Sequence, residues 1–79
     1  MKIQIAGPGC AKCQACEKNV REACAQLGVE AEIEHLTEPR EFAPLGVMMT
    51  PAVLIDGRLL VSGHVPTVDK LKQAISEAG

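Results

Sequence analysis

The sequence predicts an α/β fold with the element order βαβαββα, a four-stranded mixed sheet carrying helices on both faces. Three observations lead there. Cys13, Cys16, Val20, Cys24 and Leu27 recur at steps of three and four, the spacing of one buried helix face. Asp56-Gly57 stands between two short apolar runs, which favours a two-residue hairpin because both central residues accept positive φ. A second helical stripe of Val68, Leu71, Ile75 and Ala78 closes the chain. At 79 residues the expectation is a single domain spanning 1–79. A chain of this length buries only about 60% of its unfolded surface. With one Phe and no Tyr or Trp, its core has to be built from aliphatic side chains and Cys.

Each element has its own local reason. Lys2-Ile3-Gln4-Ile5 alternates with period two and runs into Gly7-Pro8-Gly9, so it reads as a strand entering a loop. Residues 11–27 form the first helix, with Lys12, Glu17, Lys18, Arg21 and Glu22 off its apolar stripe and Gly28 closing it. Over 29–35 the chain alternates strictly, Val29, Ala31 and Ile33 against Glu30, Glu32 and Glu34. That pattern is a strand whose charged face suits a guarded sheet edge. Thr37-Glu38-Pro39 opens a short helix carrying Phe42 and Leu45, and Pro44 shortens or distorts it. Runs 52–55 and 58–61 form the hairpin strands. Thr67 is placed to cap the last helix, and Asp69 favours its positive end. Strands one and two, joined through a helix, are expected to lie parallel by a right-handed crossover.

Composition excludes several functions. The net charge is −2, and Lys and Arg are scattered among Glu. A nucleic-acid binder needs a basic stripe and usually aromatic stacking platforms, so none is expected. No membrane partner is expected either: the uncharged run 42–55 is interrupted by Pro44, Gly46 and Pro51 and is too short to span a bilayer. Met1-Lys2-Ile3-Gln4-Ile5 lacks a long apolar stretch ending in a cleavage site, so the expected compartment is the cytoplasm. There, four cysteines are chemical residues more readily than staples.

Cys10, Cys13, Cys16 and Cys24 all fall in the first third of the chain. Cys10 and Cys13 straddle a loop-to-helix transition, where unpaired backbone N–H groups and the macrodipole favour an anion. A thiolate at Cys10 is such an anion, and Lys12 adds nearby positive charge. Thiols so placed have pKa values of about 3.5–7.5 against about 8.5 for a free thiol. The expected chemistry is thiol–disulfide exchange: Cys10 attacks a substrate disulfide, and Cys13 then attacks Cys10 at high effective concentration and releases the reduced substrate.

Further along, Met48-Met49-Thr50-Pro51-Ala52 leads into the hairpin. A CxxC opening the first helix followed by Thr-Pro before a β-hairpin resembles the thioredoxin superfamily. The chain is similar, more narrowly, to small archaeal and bacterial thioredoxin-like proteins, the redox-active disulfide proteins. Segments 1–13 and 46–66 carry the match, and the element order extends it to the whole chain. The resemblance implies a minimal thioredoxin-like fold with a cis-proline at Pro51 facing the CxxC. It also implies Thr50 offering backbone hydrogen bonds to a bound peptide, and His64 in a loop approaching the site. It implies disulfide-containing protein substrates, a thioredoxin reductase or similar electron donor, a monomer, and no cofactor. The sequence departs from thioredoxin's Trp-Cys-Gly-Pro-Cys: Gly9 stands in the Trp position and Ala11-Lys12 in the central pair. The first strand also lacks the buried acidic residue found near the resolving Cys of thioredoxins.

The remaining candidates have plainer readings beside them. Cys24 reads as a small buried hydrophobe, and Cys16 as core packing or as a third thiol near the pair. A Cys16–Cys24 bridge is excluded in a continuous helix, since eight residues rise about 12 Å and a disulfide needs Cα atoms within about 7 Å. A thiophilic metal site from Cys10, Cys13 and Cys16, with His64 as a potential fourth ligand, is the alternative function. Metal carriers that place CxxC after a first strand run βαββαβ and end in a strand, whereas this chain ends in a helix. A non-catalytic interaction module of the same fold is the third possibility. Met48 and Met49 either line the substrate groove or fill the core, and His35 reads as a partly buried residue on a strand face.

Overall fold

The computed structural model describes residues 1–7 and 11–78; Pro8, Gly9, Cys10 and Gly79 lie outside the described residues. Its elements are β1 (Lys2–Ala6), α1 (Ala11–Leu27), β2 (Glu32–Leu36), α2 (Pro39–Phe42) running into a 3-10 turn (Ala43–Leu45), β3 (Ala52–Ile55), β4 (Arg58–Ser62) and α3 (Val68–Ala78). The strands form one mixed sheet in the order β2-β1-β3-β4. β1 pairs parallel with β2 and antiparallel with β3, and β3 pairs antiparallel with β4. The α/β class and the element order are as the sequence predicts.

Alternation along β1 and β3 divides the core in two. Ile3, Ile5, Val53 and Ile55 point to one face and pack with Cys16, Val20, Ala23 and Cys24 of α1 and with Leu71 and Ile75 of α3. Ala6, Ala52 and Leu54 point to the other face, where they meet Leu36, Phe42 and Val47. Helices therefore cover both faces, two on one and α2 on the other. Phe42, the only aromatic residue, anchors the smaller side. No helix among the described residues is long and apolar enough to cross a membrane.

Local chemistry accounts for the boundaries. Asp56 and Gly57 take φ of 50° and 84°, the two positive values that a type I′ hairpin requires. The Asp56 carboxylate also accepts a 2.8 Å hydrogen bond from the Lys2 backbone N–H, tying the hairpin to the start of β1. Register slips after Val53, so Leu60 is an extra residue in β4. Thr67 caps α3 through its Oγ1, which accepts from the Lys70 N–H at 3.1 Å. Glu38 and Glu41 form a capping box around Pro39 at the start of α2. Beyond Phe42 the helix tightens to 3-10 at Ala43-Pro44-Leu45, the distortion expected of Pro44.

Two expectations need correction. The second strand begins at Glu32, not Val29. The Val29 N–H donates to the Cys24 carbonyl in closing α1, and β1 offers its first partner only at Lys2, opposite Glu32. Ala78 is exposed and outside the buried stripe of α3. It borders an open groove with Ile55, Arg58 and Leu59 beyond the sheet's hairpin end. Leu45, the last residue of the 3-10 turn, is 40% exposed.

Candidate functional site

The candidate site lies where β1 ends and α1 begins. Gly7, the residue after β1, is pinned by its N–H, which donates to the Leu36 carbonyl at 2.8 Å. Cys13 sits in the first turn of α1 and is fully buried. Its sulfur occupies the space where a Gly7 side chain would stand: a Cβ built on Gly7 would overlap Cys13 Sγ and lie 3.3 Å from Cys13 Cβ. The same point is 3.8 Å from Cβ of Thr50, so Cys13, Gly7 and Thr50 converge. Cys10 lies outside the described residues.

The Thr50–Pro51 peptide bond is cis, and Pro51 is fully buried. The Pro51 carbonyl accepts from the Gly63 N–H at 2.9 Å, joining the start of β3 to the loop after β4. Gly63, at φ 86°, is where Met49 packs: a Cβ there would meet Met49 Cε at 3.1 Å and its Cβ at 3.3 Å. Met49 nevertheless remains 61% exposed, and Met48 is 93% exposed. Both therefore face solvent instead of filling the core. Lys12 and His64 are exposed and are not part of the Cys13–Gly7–Thr50 contact.

The other two described cysteines have different surroundings. Cys16 and Cys24 both belong to the core cluster under α1. Burial, reinforced by the nearby Cys13 and Glu17, pushes the Cys16 thiol up to about 11, and burial also raises Cys24. Both are protonated at neutral pH. Among the described residues no group of three or more His, Cys, Asp or Glu side chains could hold a metal ion. The three-thiolate alternative includes Cys10 and so falls outside the described residues. The open groove beside Ile55, Arg58, Leu59 and Ala74 lies at the hairpin end of the sheet, opposite the Ala6–Ala52 end that carries Cys13.

Sequence reasoning does not single out Gly7, which it absorbs into a Gly-Pro-Gly loop. The available signal is a glycine ending a strand six residues before a cysteine on the buried helical stripe.

Comparison with known proteins agrees with this architecture. Residues 1–76 match the family model described as a thioredoxin domain. The chain is 42% identical over 76 residues to a protein named thioredoxin from Methanothermobacter thermautotrophicus, covering 96% of this chain and 99% of the relative. It is 37% identical over 73 residues to a thioredoxin from Methanocaldococcus jannaschii, covering 92% of this chain and 84% of that one.

Proposed function

The chain belongs to the thioredoxin family, and from that premise we propose a thiol–disulfide oxidoreductase in which Cys10 is the nucleophile and Cys13 the resolving thiol. A thioredoxin-type redox role follows from the family; the division of labour between the two cysteines is our reading. The observation that carries it is the seat of the Cys13 sulfur, held by the first turn of α1 against the end of the central strand and beside Thr50.

The chemistry proceeds in two exchanges. The Cys10 thiolate attacks one sulfur of a substrate disulfide; that S–S bond breaks, and the first substrate sulfur leaves and takes up a proton. Cys13, after losing its proton, attacks Cys10 Sγ. A Cys10–Cys13 disulfide forms, and the second substrate sulfur leaves reduced. Two electrons have then passed from the dithiol to the substrate. The gain over a free thiol comes from the second step, because a thiol three positions along the chain acts at an effective concentration no solution thiol reaches. Thr50 and Pro51 would line the substrate strand, with Met49 as an apolar contact and Lys12 and His64 at the rim. A disulfide in a partner protein is the substrate. A thioredoxin reductase or similar dithiol donor restores the pair, in a reducing compartment such as the cytoplasm, with the protein acting as a monomer and without a cofactor.

The rival reading, a metal carrier of the βαββαβ type, is disfavoured by α2, which stands between β2 and β3 where that order runs directly from strand to strand. The test uses single-turnover trapping. Cys13→Ser should accumulate a covalent mixed disulfide between Cys10 and a protein substrate, and Cys10→Ser should form none. Stoichiometric zinc or copper(I) in anaerobically purified protein that shows no turnover would overturn the proposal.

A further inference from the structure

Glycine usually marks a backbone conformation that other residues avoid, as at Gly28, Gly46, Gly57 and Gly63, all with φ between 67° and 88°. Gly7 is different. It is not among the positive-φ positions, so its φ does not bar a side chain. What bars a side chain there is the sulfur of Cys13, which fills the volume a Cβ would need. Real Cβ atoms essentially never come within 3.0 Å of a non-bonded heavy atom, so one of the two groups has to give way. Gly7 cannot move easily, since its N–H is bonded to Leu36 at the end of a paired strand. The Cys13 backbone is equally fixed by α1. The sulfur is the part that must swing, and in a helix few χ1 wells are open to it.

We propose that Gly7 is a positioning residue for the resolving step: its missing side chain is the seat that holds Cys13 Sγ where it can attack Cys10. This rests on the roles proposed above for Cys10 and Cys13. In Gly7→Ala the sulfur is displaced by about an ångström, and misplacement on that scale slows a reaction by up to about 100-fold. Attack by Cys10 on the substrate forms no bond to Cys13 Sγ, so the second exchange is retarded more than the first. Release of substrate from the mixed disulfide slows by about 10- to 100-fold, so Gly7→Ala behaves as a partial Cys13→Ser.

Two measurements test this. Rapid acid quench and mass analysis should show the mixed disulfide accumulating in Gly7→Ala, its release slowed relative to wild type more than its formation. Normal release by a folded Gly7→Ala overturns the inference. Thermal melts of the four-member cycle with Cys13→Ala read the seat without turnover. Gly7→Ala should lower Tm markedly in the wild-type background and much less once the sulfur is gone, because only the 3.3 Å approach to Cys13 Cβ remains. An equal loss in both backgrounds also overturns it. Should Gly7→Ala fail to fold alone, folding of the double variant still demonstrates the clash. A wild-type chain that never forms a mixed disulfide sinks the functional reading instead, and the melts still decide whether the seat exists.

Discussion

Raising the pH above 9 should destabilise this protein through one buried thiol. Cys16 is fully buried, and its pKa is pushed from 9.0 up to about 11, chiefly by burial and further by Cys13 and Glu17. In the unfolded chain the thiol ionises near its ordinary value; in the folded chain it keeps its proton. Above pH 9 the unfolded state therefore binds fewer protons, and stability falls as pH rises. The contribution is whole below about pH 9 and is lost progressively toward pH 11. At about 1.4 kcal/mol for each pH unit over which the two states differ by one proton, the loss is about 1 kcal/mol by pH 10 and about 2 kcal/mol by pH 11. A 79-residue domain has roughly 4–12 kcal/mol in all, so the effect is measurable. The assay is urea denaturation followed by circular dichroism, in reductant, on wild type and Cys16→Ala between pH 8 and pH 11. Taking the difference cancels the groups both proteins share, including Cys24 and Lys2, whose pKa values are also raised. The wild-type advantage over Cys16→Ala should shrink across that interval by the stated amounts. Parallel curves would show that the thiol ionises without penalty and is not sealed in the core.

Two further outcomes follow from packing and capping. Phe42→Ala removes the only aromatic side chain, the anchor of the smaller core cluster, and should cost about 3–5 kcal/mol, read as a fall in the urea midpoint. A loss below about 1 kcal/mol would mean that this face of the sheet is not held by a packed core. Thr67→Ala deletes the hydroxyl that accepts from Lys70 N–H and should cost about 1 kcal/mol, a drop of several degrees in Tm, while Thr67→Ser should retain most of it.

Elements whose cause is local are legible in the sequence. Asp56-Gly57 fixes its hairpin because two adjacent residues must accept positive φ, and few pairs do so. The α1 stripe is legible because burial follows the 3.6-residue period, with Cys13, Cys16, Val20 and Cys24 all buried. Thr67 is readable because a cap is a contact over three residues. What the sequence hides depends on distant partners. Val29 alternates like a strand residue, yet its N–H closes α1, and whether it pairs is decided by where β1 starts. Ala78 has the right spacing but overhangs the sheet.

The site divides along the same line. Thr50 and Cys13, thirty-seven positions apart, can be brought together from sequence only by the family resemblance, and the structure sets both around Gly7. Gly7 itself is invisible there, because its constraint is a sulfur arriving from another element and not its own backbone. Cys16 and Cys24 share the stripe with Cys13, so periodicity cannot say which thiols are chemical. Their separation comes from what each sulfur meets and not from depth: Cys16 and Cys24 sit in the main core cluster, whereas Cys13, equally buried, is set against Gly7 near Thr50.

The central claim is that residues 10 and 13 form the working dithiol, and redox equilibration tests it most directly. The protein is held in glutathione buffers of graded potential, quenched in acid, alkylated after unfolding and mapped by peptide mass. The account predicts one two-electron transition in which Cys10 and Cys13 lose their alkyl groups together, while Cys16 and Cys24 stay modified throughout. A bridge involving Cys16 or Cys24, or a Cys10–Cys13 pair that remains reduced across the whole range, would contradict it.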